Sequence, residues 1–283
     1  MIIDGKQIAA QWKAETAEKV AAAAATYGRA PQLVVIRVGE DPASVVYVRN
    51  KARACEEVGI RNTTLVMDED TAEAVLLDKI AALNADETVD GILVQLPLPR
   101  QISEAKVIAA IDRSKDVDGF HPLNVAGLFQ KTPHMAPCTP KGIMKLLSAS
   151  GIDPCGKRAV VIGRSNIVGL PVAKMLLDAN ATVTQCHTRT RDLAAVTRQA
   201  DILVVAAGRA KMISGEMVSE GVVIIDVGMD RDPATGKLCG DVDFDSCAPK
   251  AAAITPVPGG VGPMTIAALM ENTLECFLQR VRD

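Results

Sequence analysis

In the stretch "DPASVVYVRNKARACEEVGI" (41–60), Ser44, Tyr47 and Lys51 recur at three- and four-residue spacing. A helix through this stretch carries hydroxyl, ring and ammonium on one face. An amine in such a place can act as a base once neutral, and a phenol ring offers a flat apolar surface to a planar ligand. From spacing alone the same residues read as a pair on a helix surface. Gln95 brings an amide into the apolar run "GILVQLPLP" (91–99), and Asp118 lies in the turn-rich "KDVDGFHP" (115–122). Strand ends and turns beside a sheet are where α/β proteins place ligand contacts. Equally, Gln95 could cap a neighbouring backbone group and "DVDG" could be only a turn. A calcium loop is excluded, because the acidic residues at its other ligand positions are missing.

A second constellation occupies "AVVIGRSNIVGLPVAKMLL" (159–177), which reads as a β-run, a glycine turn at Gly163 and a helix beginning near Ser165. A helix start presents free N–H groups and a positive dipole end to a pyrophosphate. The spacing Gly163-x-Ser165-x-x-x-Gly169 departs from G-x-G-x-x-G, so a structural turn stays open as an alternative. The next strand ends in "CHTRTRD" (186–192), where an NAD site would place an acidic residue. Thr188, Arg189 and Arg191 come first instead, and Arg164 adds a cation in the glycine turn. Guanidinium pairs bidentately with phosphate, which favours the 2′-phosphate of NADP; the alternative is that Arg189 and Arg191 are solvated cap residues.

These residues need elements to hold them. The 283-residue chain is 48% apolar, yet has only one tryptophan, two tyrosines and four phenylalanines, a composition suited to buried parallel strands covered by helices. The fold class is therefore α/β. Apolar β-rich runs fall at 33–39, 63–67, 91–99, 159–163, 182–186, 202–208 and 222–228, with helical-period segments between them. Asp41 and Pro42 start a helix that runs to about Glu57 and stops at Gly59, with Val48, Ala52 and Cys55 as its buried stripe. The series divides near 112–140, giving two α/β units, and the last helix, opened by Pro263, is expected to return to the first.

A formal charge of −3 without a basic block excludes the footprint of a nucleic-acid binder. Seven cysteines without a C-x-x-C pair, and histidines far apart at 121, 134 and 187, suit a reducing cytosol and no metal site. No signal peptide or transmembrane run is visible, so a soluble cytoplasmic protein without a membrane partner is expected.

The strings "VGEDPASVVYVRNKARACEEVGI", "DGILVQLPLP", "KDVDGFHPLNVAG", "PCTPKGIMKLL", "GRSNIVGLPVAKMLL" and "TPVPGGVGPMTIAALMENTL" occur in that order along nearly the whole chain. Together they resemble the bifunctional methylenetetrahydrofolate dehydrogenase/methenyltetrahydrofolate cyclohydrolase family. The resemblance implies two α/β domains flanking a cleft: a folate-binding catalytic domain, 1–138 plus 264–283, and a Rossmann-like NADP-binding domain with a parallel sheet, 139–263. It implies NADP-dependent oxidation of 5,10-methylenetetrahydrofolate to the methenyl cation, then hydrolysis to 10-formyltetrahydrofolate, within one-carbon metabolism and purine biosynthesis. By position, Lys51 is the catalytic lysine, Tyr47 stacks on the folate, Gln95 tunes the lysine and Asp118 anchors the pterin. Gly163, Arg164 and Ser165 would meet the phosphates, Thr188 the strand end, and Met229 the nicotinamide through its main chain. "PGGVG" (258–262), with Gly259 and Gly260, and the adjoining Pro263 would line the substrate cleft. The family varies at Thr188 and Arg189, so either could meet the 2′-phosphate. A homodimer is also implied. The competing readings are a dehydrogenase of the same family with weak cyclohydrolase activity, a non-catalytic dinucleotide-binding module, and a two-domain dehydrogenase of the shikimate type.

Overall fold

The computed structural model describes residues 1–132 and 135–282, so His134 lies outside the described residues. The chain runs through α1 (Gly5–Tyr27), β1 (Gln32–Val38), α2 (Pro42–Val58), β2 (Arg61–Met67), α3 (Glu73–Ala85) and β3 (Gly91–Val94). It continues through α4 (Glu104–Ala110), α5 (Pro122–Gln130), α6 (Cys138–Ala149), β4 (Arg158–Ile162), α7 (Gly169–Asp178), β5 (Thr182–Cys186) and α8 (Leu193–Thr197). It ends with β6 (Ile202–Val205), β7 (Val223–Asp226), β8 (Asp230–Arg231), β9 (Leu238–Cys239), α9 (Phe244–Cys247), β10 (Ala253–Ile254) and α10 (Val261–Arg280).

Two compact units result. One comprises Ala10–Cys138 with Ile266–Asp283 and holds a parallel sheet ordered β2-β1-β3. The other comprises Met1–Ala9 with Thr139–Thr265 and holds a parallel sheet ordered β10-β7-β6-β4-β5. The first nine residues thus pack with the five-stranded unit, whereas the sequence places them with the first domain. The reason is local pairing: the Met1 ammonium donates to Ala252 O at 2.7 Å and Ile3 N–H to Ile254 O at 2.9 Å. The antiparallel hairpin β8–β9 and the short strand β10 have no counterpart among the expected apolar runs. Strands two to four residues long are too brief to show a period.

Central strands are buried on both faces, as parallel sheets require. In β1, Val34, Ile36 and Val38 enter one core with Leu76, Ile80 and Ile92, while Leu33 and Val35 on the other face are also fully buried. In the larger sheet, Val160, Ile162, Leu203, Val205 and Ile224 form the corresponding core. Helix α2 begins as expected: the Asp41 carboxylate accepts the Ser44 N–H at 2.8 Å, and Pro42 occupies the first turn. It ends at Gly59, whose φ of 78° allows its N–H to reach back to Cys55 O and Glu56 O. Strands β3 and β6 stop at Val94 and Val205, short of the full apolar runs. The residues that follow leave the sheets, and Gln95 is the first of them after β3.

Candidate active site

In the three-stranded sheet β1 lies between β2 and β3, so strand order reverses beside β1; α/β sheets bind ligands at the carboxyl ends next to such a reversal. Gln95 leaves β3 there, its N–H donating to Ile36 O at 2.8 Å. Lys51 is only 8% exposed, and its Nζ donates to Gln95 Oε1 at 3.0 Å. Gln95 Nε2 in turn donates to Leu96 O at 2.7 Å. The lysine nitrogen donates here and a carbonyl only accepts, so these neighbours fix which way the amide faces. Gln95 therefore does cap a backbone group, and the same amide offers its oxygen to the lysine.

The buried stripe of α2 differs from the expected one. Val48 and Cys55 are buried, but Ala52 is half-buried, and Ser44, Lys51, Ala54 and Val58 are buried as well. The surface-pair reading of Lys51 is thereby overturned, because the Gln95 acceptor lets the amine leave the solvated side. Tyr47, one turn earlier, is half-buried, and burial raises its phenol pKa. Burial likewise pushes the Cys55 thiol up to about 12, which makes it an inert packing group.

Asp118 arrives on a segment tied alongside β3, where the Ile92 N–H donates to Lys115 O at 2.8 Å. Lys115 is fully buried, and its ammonium donates to Leu83 O, Asn84 O and Asp86 O at 2.7–2.9 Å, closing the end of α3. The turn itself is made by Asp116, whose carboxylate accepts from Gly119 N, His121 N and Asn124 Nδ2. The turn reading of "DVDG" thus belongs to the Asp116 carboxylate, and Asp118 takes no part in those hydrogen bonds. Desolvation raises the Asp118 pKa, with the charge of Lys51 opposing the rise. Cys138, which the sequence reading did not single out, donates its N–H to Asp118 O at 3.3 Å and its thiol to Val117 O at 3.2 Å. A cysteine at a helix start gives no chemical signal of such a place.

In the five-stranded sheet β4 lies between β5 and β6, so the reversal falls beside β4. Gly163 follows β4 with φ of 112°, and a Cβ there would meet Ala206 O at 2.1 Å. A Cβ on Gly169 would meet Gly163 O at 2.2 Å, so both glycines are required for close backbone approach. Gln185 of β5 secures the turn by donating Nε2 to Gly163 O. The helix starts later than expected: α7 begins at Gly169, and the Ser165 hydroxyl accepts the N–H groups of Val168 and Gly169 at 3.2 and 3.3 Å. The capping hydroxyl stands at the head of an extra turn, which moves the helix along the chain.

Arg164, Ser165, Thr188 and Arg189 are exposed at the carboxyl ends of the paired strands β4 and β5. In the second turn, Thr190 Oγ1 accepts the His187 N–H and His187 Nδ1 accepts the Arg189 N–H. Asp192 caps α8. The turn is thus built without the side chains of Thr188, Arg189 and Arg191. Met229 is 43% exposed beyond β7, at the same sheet edge. Gly259 and Gly260 lie between β10 and α10, and Pro263 is the third residue of α10. This donor set of glycine turn, hydroxyls and guanidiniums fits a nucleotide phosphate.

Asp226 ends β7, with Oδ1 accepting from Gly228 N and Asp241 N and Oδ2 from Val242 N, each at 3.0 Å. Burial outweighs these donors and raises the carboxyl pKa to about 7. The folded chain then holds a proton that the unfolded chain releases near 4, so this contribution to stability is present at low pH and is lost as pH rises through about 7. Between pH 4 and 7, wild type should lose up to about 1.4 kcal/mol of unfolding free energy per pH unit relative to Asp226→Asn. Denaturant unfolding of both proteins across this range checks the difference; parallel curves would contradict it.

Fold and site together define a two-unit α/β enzyme class, in which a doubly wound nucleotide-binding unit accompanies a unit with a smaller parallel sheet and a buried lysine. Residues 3–118 match the catalytic domain of tetrahydrofolate dehydrogenase/cyclohydrolase, and residues 137–281 match its NAD(P)-binding domain. The bifunctional protein FolD of Acidiphilium cryptum (strain JF-5) is 59% identical over 273 residues, 96% of each chain. A crystal structure of the bifunctional FolD methylenetetrahydrofolate dehydrogenase/cyclohydrolase from Campylobacter jejuni is 50% identical, with a TM-score of 0.96 over 99% of both chains. The Trypanosoma brucei enzyme, complexed with NADP cofactor and inhibitor, is 41% identical, with a TM-score of 0.95 over 100% of this chain and 99% of that one. The chain belongs to the tetrahydrofolate dehydrogenase/cyclohydrolase family, which sets aside the shikimate-type alternative.

Proposed function

We infer that this chain oxidises 5,10-methylenetetrahydrofolate with NADP+ and hydrolyses the resulting methenyl cation to 10-formyltetrahydrofolate. Family membership supports the pair of reactions, and the buried Lys51 Nζ to Gln95 Oε1 contact is the observation that carries the assignment of roles. Gln95 holds the amine in place. Lys51 takes one proton from the water that adds to the methenyl carbon, and as the carbon–N5 bond opens the adduct's hydroxyl proton passes to N5, leaving the formyl group on N10. Asp118 accepts N–H donors at the pterin edge, and Tyr47 offers its ring face to the p-aminobenzoate portion. NADP+, when bound, accepts the hydride. Gly163, Arg164 and Ser165 bind its phosphates, Thr188 or Arg189 its 2′-phosphate, and Met229 the nicotinamide through its main chain. Gly259, Gly260 and Pro263 contribute to binding the folate.

Purified protein is expected to form NADPH from methylenetetrahydrofolate and to speed the loss of methenyl absorbance. Failure of both would overturn the assignment, and dehydrogenase activity alone would establish the monofunctional reading. Folate titration without turnover would point to a binding module.

We assign the chain to cytoplasmic one-carbon metabolism and purine biosynthesis, a setting in which cysteines without disulfides are stable. Among the described residues, no helix is long and apolar enough to cross a membrane. We also assign it to a homodimer: β2 is an edge strand with Val66 55% exposed, a surface that a second copy would cover. Light scattering on the eluted protein tests the dimer.

A further inference from the structure

Two buried carboxylates at the carboxyl edge of the five-stranded sheet have no role in the scheme above. Asp241 is fully buried; its Oδ2 accepts from Ala207 N at 2.6 Å and Gly208 N at 3.1 Å, and its Oδ1 accepts from Arg209 N at 2.6 Å. These donors follow β6 directly, just beyond Ala206, whose carbonyl closes on the Gly163 turn. Asp226 is 3% exposed and holds Gly228 N at the end of β7 together with Asp241 N itself. The loop after β6, Asp241, Asp226 and the turn leading to Met229 are therefore linked in one chain of hydrogen bonds. The packing around this link is tight, since a Cβ on Gly240 would meet Asp226 Oδ2 at 1.9 Å and one on Gly228 would meet the Asp241 carboxylate at 2.6 Å. Burial, with the Asp241 carboxylate as a neighbour, raises the Asp230 carboxyl pKa.

Burying a carboxylate is costly unless its oxygens are satisfied. Here the satisfying groups are backbone N–H donors in the very loops that leave β6 and β7, an arrangement that fixes loop geometry before any ligand arrives. We propose that Asp241, with Asp226 behind it, is a positioning residue for hydride transfer, fixing the Ala207–Arg209 loop and the Gly228–Met229 turn as the support for the nicotinamide end of NADP. This proposal rests on the reading of the β4–β7 edge as the NADP site. Asp241 acts through these loops, without touching the cofactor.

Asp241→Asn keeps the shape of the side chain but turns one acceptor oxygen into a donor, so it cannot satisfy all three N–H groups. The expected result is a rise in the KM for NADP+, or a fall in dehydrogenase kcat, of about tenfold or more, as a small misplacement of a reacting ring would produce. Methenyl hydrolysis measured without NADP should stay within about twofold of wild type, because that step does not use these loops. A parallel fall in both activities would reveal only a structural role and overturn the proposal, as would unchanged dehydrogenase kinetics. If Asp241→Asn does not fold, Asp226→Asn makes the same comparison from the β7 side. Wild type separates the two levels: an active wild type with an indifferent variant removes the positioning role alone, whereas an inactive wild type removes the enzyme assignment beneath it.

Discussion

Lys51→Ala is expected to slow methenyl hydrolysis by about 10²–10⁴-fold, the range contributed by a positioned general base. The substitution removes the amine that Gln95 Oε1 holds at 3.0 Å and leaves that oxygen without its donor. Oxidation of methylenetetrahydrofolate passes a hydride to the cofactor and asks no proton transfer of Lys51, so NADPH formation should continue at a rate near that of wild type. Following methenyl absorbance and NADPH formation separately tests this split. Hydrolysis retained within about tenfold would remove Lys51 as the base. Gln95→Ala should act in the same direction with a smaller effect, because it frees the amine without deleting it.

Gly163→Ala should abolish most NADP-dependent activity and lower the melting temperature. The backbone cost of alanine at φ of 112° is about 1–3 kcal/mol, before the overlap is counted. The added carbon would sit 2.1 Å from Ala206 O, so the turn after β4 and the loop after β6 must separate. A shift of about 1 Å in that support can cost about 10²-fold in rate. The expected signature is loss of the NADP-induced rise in melting temperature, with methenyl hydrolysis preserved. An alanine variant that still binds NADP normally would show that the turn relaxes without consequence for the nucleotide.

What the sequence made legible was local. Asp41, Pro42 and Gly59 set the ends of α2 because each acts within one turn of its own position. The Gly163 turn was equally visible, since a β-run followed by glycine and a capping hydroxyl is a short-range pattern. Burial of Lys51 was not legible, because it depends on Gln95, 44 residues further along the chain. Lys115 reads as a surface charge until the three carbonyls at the end of α3 are seen to surround it. Asp226 and Asp241 resemble ordinary turn residues in "IIDVG" and "GDVDF", and Asp241's donors lie 32 to 34 residues away. Spacing raised Lys51 and Tyr47 as candidates, but only the resemblance along the whole chain attached a reaction to them.

Both sheets place the earliest strand of their series between the next two, β2-β1-β3 in one and β5-β4-β6 in the other. In each case the gap at the strand ends comes from the path of the chain, and some of the side chains bordering it, Gln95, Arg164 and Ser165, stand outside the dry core. Gln95 is half-buried directly after four buried strand residues, and Arg164 and Ser165 are exposed two and three residues beyond β4, whose last four residues are buried. Substitutions at these borders can therefore retune which ligand is preferred at small expense to the core. Ligand preference and thermal tolerance should thus be separable properties in this scaffold, open to independent change.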